Sequence, residues 1–375
     1  MNGFSWKDVA GLGEAYRDFL KRNRIQDGWG NIMTTLSRRQ FMQRSGTFVG
    51  AAMATSWVSS ARAGAAEREL IPKKFPFPPN DQFGNYEPTI TGDGNTIYFA
   101  RFAAAGDKRV KTTDLFVTHR IRQSGEWPGS NGDWTVPERL PDWVNSDAMD
   151  LEPRISPDGG TLHFMSTRAG GHGATDIYVA HKQPNGEWTK AENLGPNVNS
   201  QYVDHCFMPS GIPGQENVSV FISIRPREPG AAPSPDVYTS TLERGVWQPA
   251  KRLDSKVLDS IGFKCRINAV AKDGLVLGVA SVHDFGKFHK MVFLRYDPST
   301  NRWKGPIVEA PFNLPNVDGA CPQFTADGDK MIWSSGQDRG PGPISGSDGS
   351  GSVYDLFWLK TSDVVAYYRA KARLT

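Results

Sequence analysis

The feature that most constrains the fold is an internal repeat, and its clearest copy runs from Leu151 to Asp204. This copy contains four short runs of β-branched and aromatic residues. Turn signals separate them, among them Pro157-Asp158-Gly159-Gly160 and Pro184-Asn185-Gly186. Glycine supplies the positive φ that tight turns need, so the pattern predicts a four-stranded antiparallel meander. A single sheet of this size has two faces to bury, and its neighbours must therefore be further copies.

Four further copies align with the clearest one through their turns and their third strands. An Asp-Gly turn lies between the first two strands of four copies, at Asp93-Gly94, Asp158-Gly159, Asp273-Gly274 and Asp327-Gly328. The copies run roughly over 86–150, 151–204, 205–263, 264–319 and 320–362. A period of about 50 to 65 residues is typical of β-propellers.

The two ends of the repeat array complement each other. The fifth copy lacks its last strand, whereas the extended segment 70–77 lacks the first three. Together they predict one blade that closes a ring. The sequence therefore predicts an all-β fold, a five-bladed propeller of four-stranded antiparallel blades over 66–362, followed by a short helix and tail in 363–375.

The second copy also carries a family pattern. It reads Ser156-Pro157-Asp158-Gly159, then Asp176-Ile177-Tyr178, then Asn193-Leu194-Gly195-Pro196. This pattern resembles the WD-type, TolB-like β-propeller repeat of bacterial envelope proteins. The resemblance implies the propeller fold and an envelope compartment. It implies no single reaction, since such propellers mostly serve as binding platforms.

The first 65 residues are unlike the repeats. Residues 33–65 resemble a twin-arginine export signal, with Arg38, Arg39 and Phe41 before an apolar run and small residues around Ala63. Residues 1–32 are then interpreted as a gene-call extension. The signal predicts a periplasmic or extracellular protein. The apolar run is too short for a membrane span, so none is expected in the mature chain.

Charge and motifs exclude several classes of function. With 43 basic and 40 acidic residues the net charge is only +3, which argues against nucleic acid as a partner. The chain contains no Gly-rich phosphate loop, HExxH helix, CxxC pair or GxSxG turn. No cofactor is predicted.

In a propeller, the position of a residue within its repeat predicts where the residue lies in the ring, because the first strand of each blade lines the central channel. Superposing the five strand entries predicts a ring at one channel mouth, made of Glu87, Glu152, His205, Lys264 and Cys321. Cys206 and Cys265 fall at the next position along. All three cysteines of the chain therefore lie within one residue of the same slot.

Three interpretations of this ring stay open. In the first, the glutamates bond the backbone of neighbouring blades and the cysteines pack in a tight core. In the second, Cys206 pairs with Cys265, or Cys265 with Cys321, as a disulfide that export would permit. In the third, the ring binds a ligand or a metal ion, with a ligand favoured and no metal predicted.

Polar loop residues are expected to surround the same mouth. The acidic ones are Asp147, Asp150, Asp204 and Asp318, and the basic ones are Arg168, His172, Arg225, His283 and Arg339. Such a mixed-charge cup suits a sugar, an organic anion or a peptide terminus.

The sequence thus predicts an exported binding module, and the interpretation leans against an enzyme. Its top face would recognise an envelope component, a protein partner or a small polar ligand. One alternative is a glycoside hydrolase-like enzyme, because five-bladed propellers resemble the scaffold of several glycoside hydrolase families. Its catalytic carboxylates would be Glu87 and Glu152 with Asp150, Asp204 or Asp318. A second alternative is a purely structural adaptor.

Overall fold

The fold is a closed ring of five antiparallel sheets. The computed structural model describes residues 70–81, 83–102, 112–261, 263–283, 290–313, 319–336 and 354–374, without the side chains of 263–265, 283, 319 and 320. The five innermost strands are β2 (Tyr86–Ile90), β6 (Asp150–Ile155), β10 (Val203–Met208), β15 (Phe263–Lys272) and β19 (Gly319–Phe324). Each contacts the next in this order, and β19 contacts β2, which closes the ring.

Each innermost strand begins a sheet that runs outward in chain order. Blade 1 continues with β3 (Thr96–Phe102), β4 (Thr113–His119) and β5 (Glu138–Arg139); blade 2 with β7 (Thr161–Ser166), β8 (Asp176–His181) and β9 (Glu192–Asn193). Blade 3 continues with β11 (Val218–Pro226), β12 (Pro233–Glu243), β13 (Val246–Trp247) and β14 (Lys251–Arg252); blade 4 with β16 (Leu275–His283), β17 (Lys290–Asp297) and β18 (Arg302–Glu309). Blade 5 continues with β20 (Lys330–Ser335) and β21 (Asp355–Lys360). The outer strand of blade 3 is split, since β13 and β14 both pair with β12.

The ring is closed by the N-terminal segment, as the sequence predicts. Strand β1 (Lys73–Lys74) pairs antiparallel with β21 and so supplies the fourth strand of blade 5. The backbone N–H of Phe75 extends this pairing by donating to Leu356 O at 2.9 Å. The buried Phe75 ring packs edge-on against Trp127 of blade 1, with the ring centroids 5.2 Å apart. The predicted five-bladed fold is confirmed.

The sequences of the inner strands are continuous apolar or mixed runs, because neighbouring blades cover both faces of each inner strand. All residues of β2 and β6 are buried. At the end of β2, Gly94 takes a φ of 70° in the Asp-Gly turn, which a residue without a Cβ adopts at little cost. Inner strands therefore enter at one face of the ring and turn at the other.

In the described part of the chain, two helices lie outside the sheets. Helix α1 (Lys256–Asp259) is one turn long, and α2 (Thr361–Ala372) is the short C-terminal helix that the sequence predicts. The Tyr368 hydroxyl of α2 donates to Pro306 O at 2.9 Å and ties the helix to blade 4. Within the described ranges, no helix combines the length and apolar character needed to cross a membrane. The segment that carries Arg38, Arg39 and Phe41 lies outside the described residues.

Candidate functional site

The site is built on a bulge that every inner strand carries near its start. Register shifts interrupt the pairing of all five inner strands with their neighbours at this point. Glu87, Glu152, Cys206 and Cys321 sit at the bulge with φ between 54° and 60°. Left-handed backbone is costly for residues other than glycine, so its recurrence at one position marks a constrained feature of the repeat.

The bulge also fixes the register of blade 3. Asp150 and Asp204 occupy equivalent places, since each pairs with a serine of the second strand, Ser166 or Ser223. Counting on from these aspartates, Cys206 rather than His205 is the equivalent of Glu152. His205 precedes the bulge and approaches the glutamate from the side. The shared aspartate is the sequence signal that could have given this alignment.

The bulge residues form a chain of hydrogen bonds around the axis. Glu87 Oε2 accepts the backbone N–H of Glu152 at 2.6 Å, and its Oε1 accepts the thiol of Cys321 at 3.1 Å. Glu152 repeats the pattern one blade further on, because its Oε2 accepts the backbone N–H of Cys206. The interpretation that the glutamates bond the backbone of neighbouring blades therefore accounts for Oε2 of each carboxyl.

The second oxygen of Glu152 faces two further polar groups. Oε1 lies 3.2 Å from His205 Nδ1 and 3.2 Å from Cys206 Sγ, and these two atoms are 3.3 Å apart. A carboxylate, an imidazole and a thiol are donors that a borderline ion such as Zn²⁺ accepts. Within the described ranges this is the group whose atoms are close enough together to hold a metal ion. The atoms already satisfy one another by hydrogen bonds, and we assign no ion.

The two axial glutamates differ in their protonation. Complete burial, reinforced by the nearby charge of Glu152, raises the pKa of Glu87 to about 7. Burial also acts on Glu152, but the His205 imidazole and the Arg266 guanidinium outweigh it and lower the pKa of Glu152. The site therefore holds one carboxyl that keeps its proton near neutral pH and one that is ionised.

Two buried arginines, which the sequence reasoning missed, join this cluster. Arg154 of β6 and Arg266 of β15 are 2% and 0% exposed. Both act electrostatically on Glu87, Cys206 and Cys321. An arginine in the middle of an innermost strand is the signal that could have identified them, because that strand has no solvent-exposed face.

The two predicted disulfides, Cys206 with Cys265 and Cys265 with Cys321, both involve Cys265. Cys206 and Cys321 are buried, and each thiol contacts a glutamate oxygen. The side chain of Cys265 lies outside the described residues, so its pairing stays a prediction. The same holds for the side chains of Lys264 and His283, and for Asp318 and Arg339 as a whole.

The loop aspartates and arginines brace the blades. Asp150 Oδ1 lies 2.7 Å from Arg168 Nη2, and Asp204 Oδ1 lies 2.8 Å from Arg225 Nη2. Each aspartate also accepts a serine N–H at 2.6 Å, and each arginine stands 4.7 Å over a tyrosine ring. Because the two sets match bond for bond in neighbouring blades, these residues belong to the repeat. His172 belongs to a loop whose N–H groups bond Asp176.

A large cavity opens at the opposite end of the channel from the axial glutamates. Its volume is about 990 Å³, and its lining includes Pro157, His163, Trp247 and Gln323. Burial lowers the pKa of His163 to about 3, so the imidazole is neutral. Residues of all five blades line this cavity, so the sequence of one repeat does not reveal it.

Solved structures with a similar fold are glycoside hydrolases. An α-L-arabinofuranosidase from Lactobacillus brevis matches with a TM-score of 0.50 and 12% identity, covering 74% of this chain and 90% of that one. The catalytic domain of the Coprinopsis cinerea GH62 α-L-arabinofuranosidase matches with a TM-score of 0.47 and 10% identity, covering 78% and 96%. A GH43_1 enzyme from Xanthomonas citri matches with a TM-score of 0.46 and 13% identity, covering 78% and 90%.

Sequence comparison adds no family. No protein-family model matches the chain, and the search of curated proteins finds no match. At such low identity the likeness to the arabinofuranosidase shows the fold, a five-bladed propeller. The three structures reported above are named as α-L-arabinofuranosidases and a GH43_1 enzyme, and none of these three is named as a WD-type or TolB-like propeller.

This comparison contradicts the prediction of a binding module and the inclination against an enzyme. The prediction of a binding module rested on the resemblance to WD-type, TolB-like propellers, and the inclination against an enzyme rested on the view that Glu87 and Glu152 are structural. In the structure, Oε2 of each carboxyl bonds the backbone of the next blade, while Oε1 faces thiol or imidazole groups. The glycoside hydrolase-like alternative is the one that the comparison favours.

Proposed function

We propose that this protein is a glycoside hydrolase-like enzyme whose reaction takes place at the axial mouth of the propeller. The observation that carries the proposal is the pair formed by Glu87 and Glu152, which come from adjacent blades and meet at the axis. Glycoside cleavage needs one carboxylic acid to protonate the leaving oxygen and one carboxylate to act as base or nucleophile. The axial pair offers one group of each kind.

Glu87 is the general acid in this proposal. Its raised pKa keeps the proton available near neutral pH, and its Oε2 is held in place by the N–H of Glu152. In the reaction Glu87 gives its proton to the glycosidic oxygen as the bond to the sugar carbon breaks. Positioning by the neighbouring blade limits the reorganisation that the transfer requires.

Glu152 is the ionised partner. The imidazole of His205 and the bond from the Cys206 backbone stabilise its negative charge and hold the carboxylate against rotation. Glu152 thereby stabilises the positive charge that develops on the sugar ring, or activates the water that attacks it. Asp150 and Asp204 were also candidates from the sequence, but they have no such role because each is paired with an arginine between strands.

A panel of chromogenic glycosides tests the proposal, beginning with α-L-arabinofuranosides because that activity names the structure of highest TM-score reported above. We expect turnover of at least one glycoside, and a loss of about 100-fold or more in kcat for Glu87→Gln and Glu152→Gln. Glu187→Gln, at an exposed turn, is the matched control and should leave kcat unchanged. Turnover that survives both axial substitutions would refute the assignment.

We also propose that the chain is exported, on the basis of the twin-arginine pattern at Arg38 and Arg39. A fusion of the first 75 or so residues to a reporter that works only outside the cytoplasm tests this. Reporter activity should be lost when both arginines are replaced by lysine. Equal activity of the two fusions would contradict export by this route.

A further inference from the structure

The axial channel contains two cationic side chains whose charge and hydrogen-bond donors are only partly paired with other groups of the protein. Arg154 and Arg266 are at least 98% buried, and each is close enough to the other for its charge to be felt. Arginine stays protonated in proteins, so both guanidinium groups carry a full positive charge. Two like charges in a buried channel repel each other strongly unless something lies between them.

The protein satisfies only one nitrogen of each guanidinium. Arg154 Nη1 donates to Gln323 Oε1 at 2.5 Å and Pro88 O at 3.4 Å, and Arg266 Nη1 donates to Cys321 O at 3.5 Å. For both arginines, Nε and Nη2 are buried and bond to nothing among the residues that the structure describes. Buried donors without an acceptor are expensive, and charged ones more so.

The nearby acids do not balance these charges. Glu152 is ionised, but Glu87 keeps its proton over much of the range below neutral pH. Below neutral pH, two positive charges therefore face little more than one negative charge on the two carboxyl groups of the cluster. Water could accept the remaining hydrogen bonds, yet it would leave the excess charge in place. An anion supplies acceptors and charge together.

We propose that the channel binds a small oxyanion between Arg154 and Arg266, such as a carboxylate, phosphate or sulfate group. The fork of a guanidinium matches two oxygens of such a group, and Nε with Nη2 is the edge that bidentate binding uses. The site differs from the axial pair of the proposed reaction and holds whether or not that reaction occurs.

The cavity at the opposite face lies next to this site. Gln323 lines the cavity, and its amide oxygen is the acceptor of Arg154 Nη1. Neither Glu87 nor Glu152 is among the residues that line the cavity. The neutral imidazole of His163 on the same wall adds no charge to oppose or attract an anion.

Calorimetric titration of the full chain in Tris chloride at constant ionic strength tests the site. The probes are inorganic phosphate, sulfate and glucuronate, with glucose as the neutral counterpart of glucuronate. We expect at least one oxyanion to bind with one-to-one stoichiometry and to raise Tm, while glucose does neither. Binding of phosphate or sulfate indicates a free anion, and binding of glucuronate alone indicates a carboxylate carried on a sugar.

Arginine variants locate the bound anion. Arg154→Gln and Arg266→Gln should each weaken binding by about tenfold or more, since each removes one charged fork. Arg122→Gln and Arg302→Gln are matched controls, because each removes an arginine from the exposed surface. Unchanged affinity in both channel variants would overturn the proposal, and so would the absence of binding by every oxyanion, which would mean that water alone occupies the channel.

A second measurement covers the case in which the channel variants do not fold. Crystals of the unaltered protein soaked in selenate should show an anomalous selenium peak in contact with both guanidinium groups. A peak elsewhere, or no peak, would overturn the proposal without any substitution.

Discussion

At the scale of single residues, Glu87 links the chemistry of the axis to the stability of the fold. A carboxyl whose pKa rises from 4.5 to about 7 on folding binds more protons in the native state than in the unfolded state over that interval. Its contribution to stability is therefore fully present at low pH and is lost as pH rises through about 7. The raised pKa that suits a general acid is thus a cost to the folded protein at neutral pH.

Replacing Glu87 by glutamine should remove this cost while keeping the shape of the side chain. Between pH 4 and pH 8, the free energy of unfolding of Glu87→Gln should rise by about 3 kcal/mol relative to that of the unaltered protein, so that the variant becomes relatively more stable at high pH. Urea denaturation at a series of pH values measures it. Glu187→Gln should follow the unaltered protein, and parallel curves for Glu87→Gln would show that the carboxyl titrates normally.

The aspartate–arginine pairs Asp150–Arg168 and Asp204–Arg225 are important for stability and have no role in the proposed reaction. Asp150→Ala and Asp204→Ala should each lower the free energy of unfolding by about 3 kcal/mol, because each leaves a largely buried arginine without its partner. Denaturant unfolding gives the stability, and kcat of the folded fraction should be unchanged. Lost turnover at unchanged stability would return these aspartates to the catalytic set.

At the scale of elements, the closing strand is the most vulnerable part of the ring. Strand β1 has only two residues in register with β21, and both are exposed lysines. The aromatic contacts of Phe75 with Trp127 and Trp134 therefore carry much of the closure. A propeller whose ends separate exposes the edges of its first and last blades.

Phe75→Ala should accordingly cost about 3 to 5 kcal/mol, the usual loss for a buried phenylalanine. Ile71→Ala, in the same segment but at a side chain that is 67% exposed, should change stability by less than about 0.5 kcal/mol. Thermal and urea unfolding of both variants provide the comparison. Similar small losses for both would mean that the ring is held without its closing segment.

At the scale of the whole molecule, the repeat made the fold predictable. Each blade repeats the same turns and strand patterns, and a meander is a local structure, so the pattern of one copy explains five. The complementary ends then fixed closure. The bulge was not predictable in this way, because an extra residue in one strand leaves the alternation of the sequence almost unchanged.

The site was predictable only in part for the same physical reason. Glu87 and Glu152 could be placed near the axis from repeat position alone. Two other features depend on the register of five sheets at once. One is the one-residue offset that places Cys206 at the repeat position of the glutamates, and the other is the proximity of Arg154 to Arg266. The cavity beneath them is lined by residues of all five blades, and no single repeat encodes it.

The direct test of the proposed function is the pH dependence of kcat/KM on a glycoside that the protein cleaves. Glu87 must be protonated and Glu152 ionised for reaction, so kcat/KM should fall as pH rises through about 7 and should also fall in strong acid. The alkaline limb should reflect the pKa of Glu87. No turnover of any glycoside, or a kcat/KM that stays flat through pH 7, would contradict the assignment of the axial glutamates as acid and carboxylate.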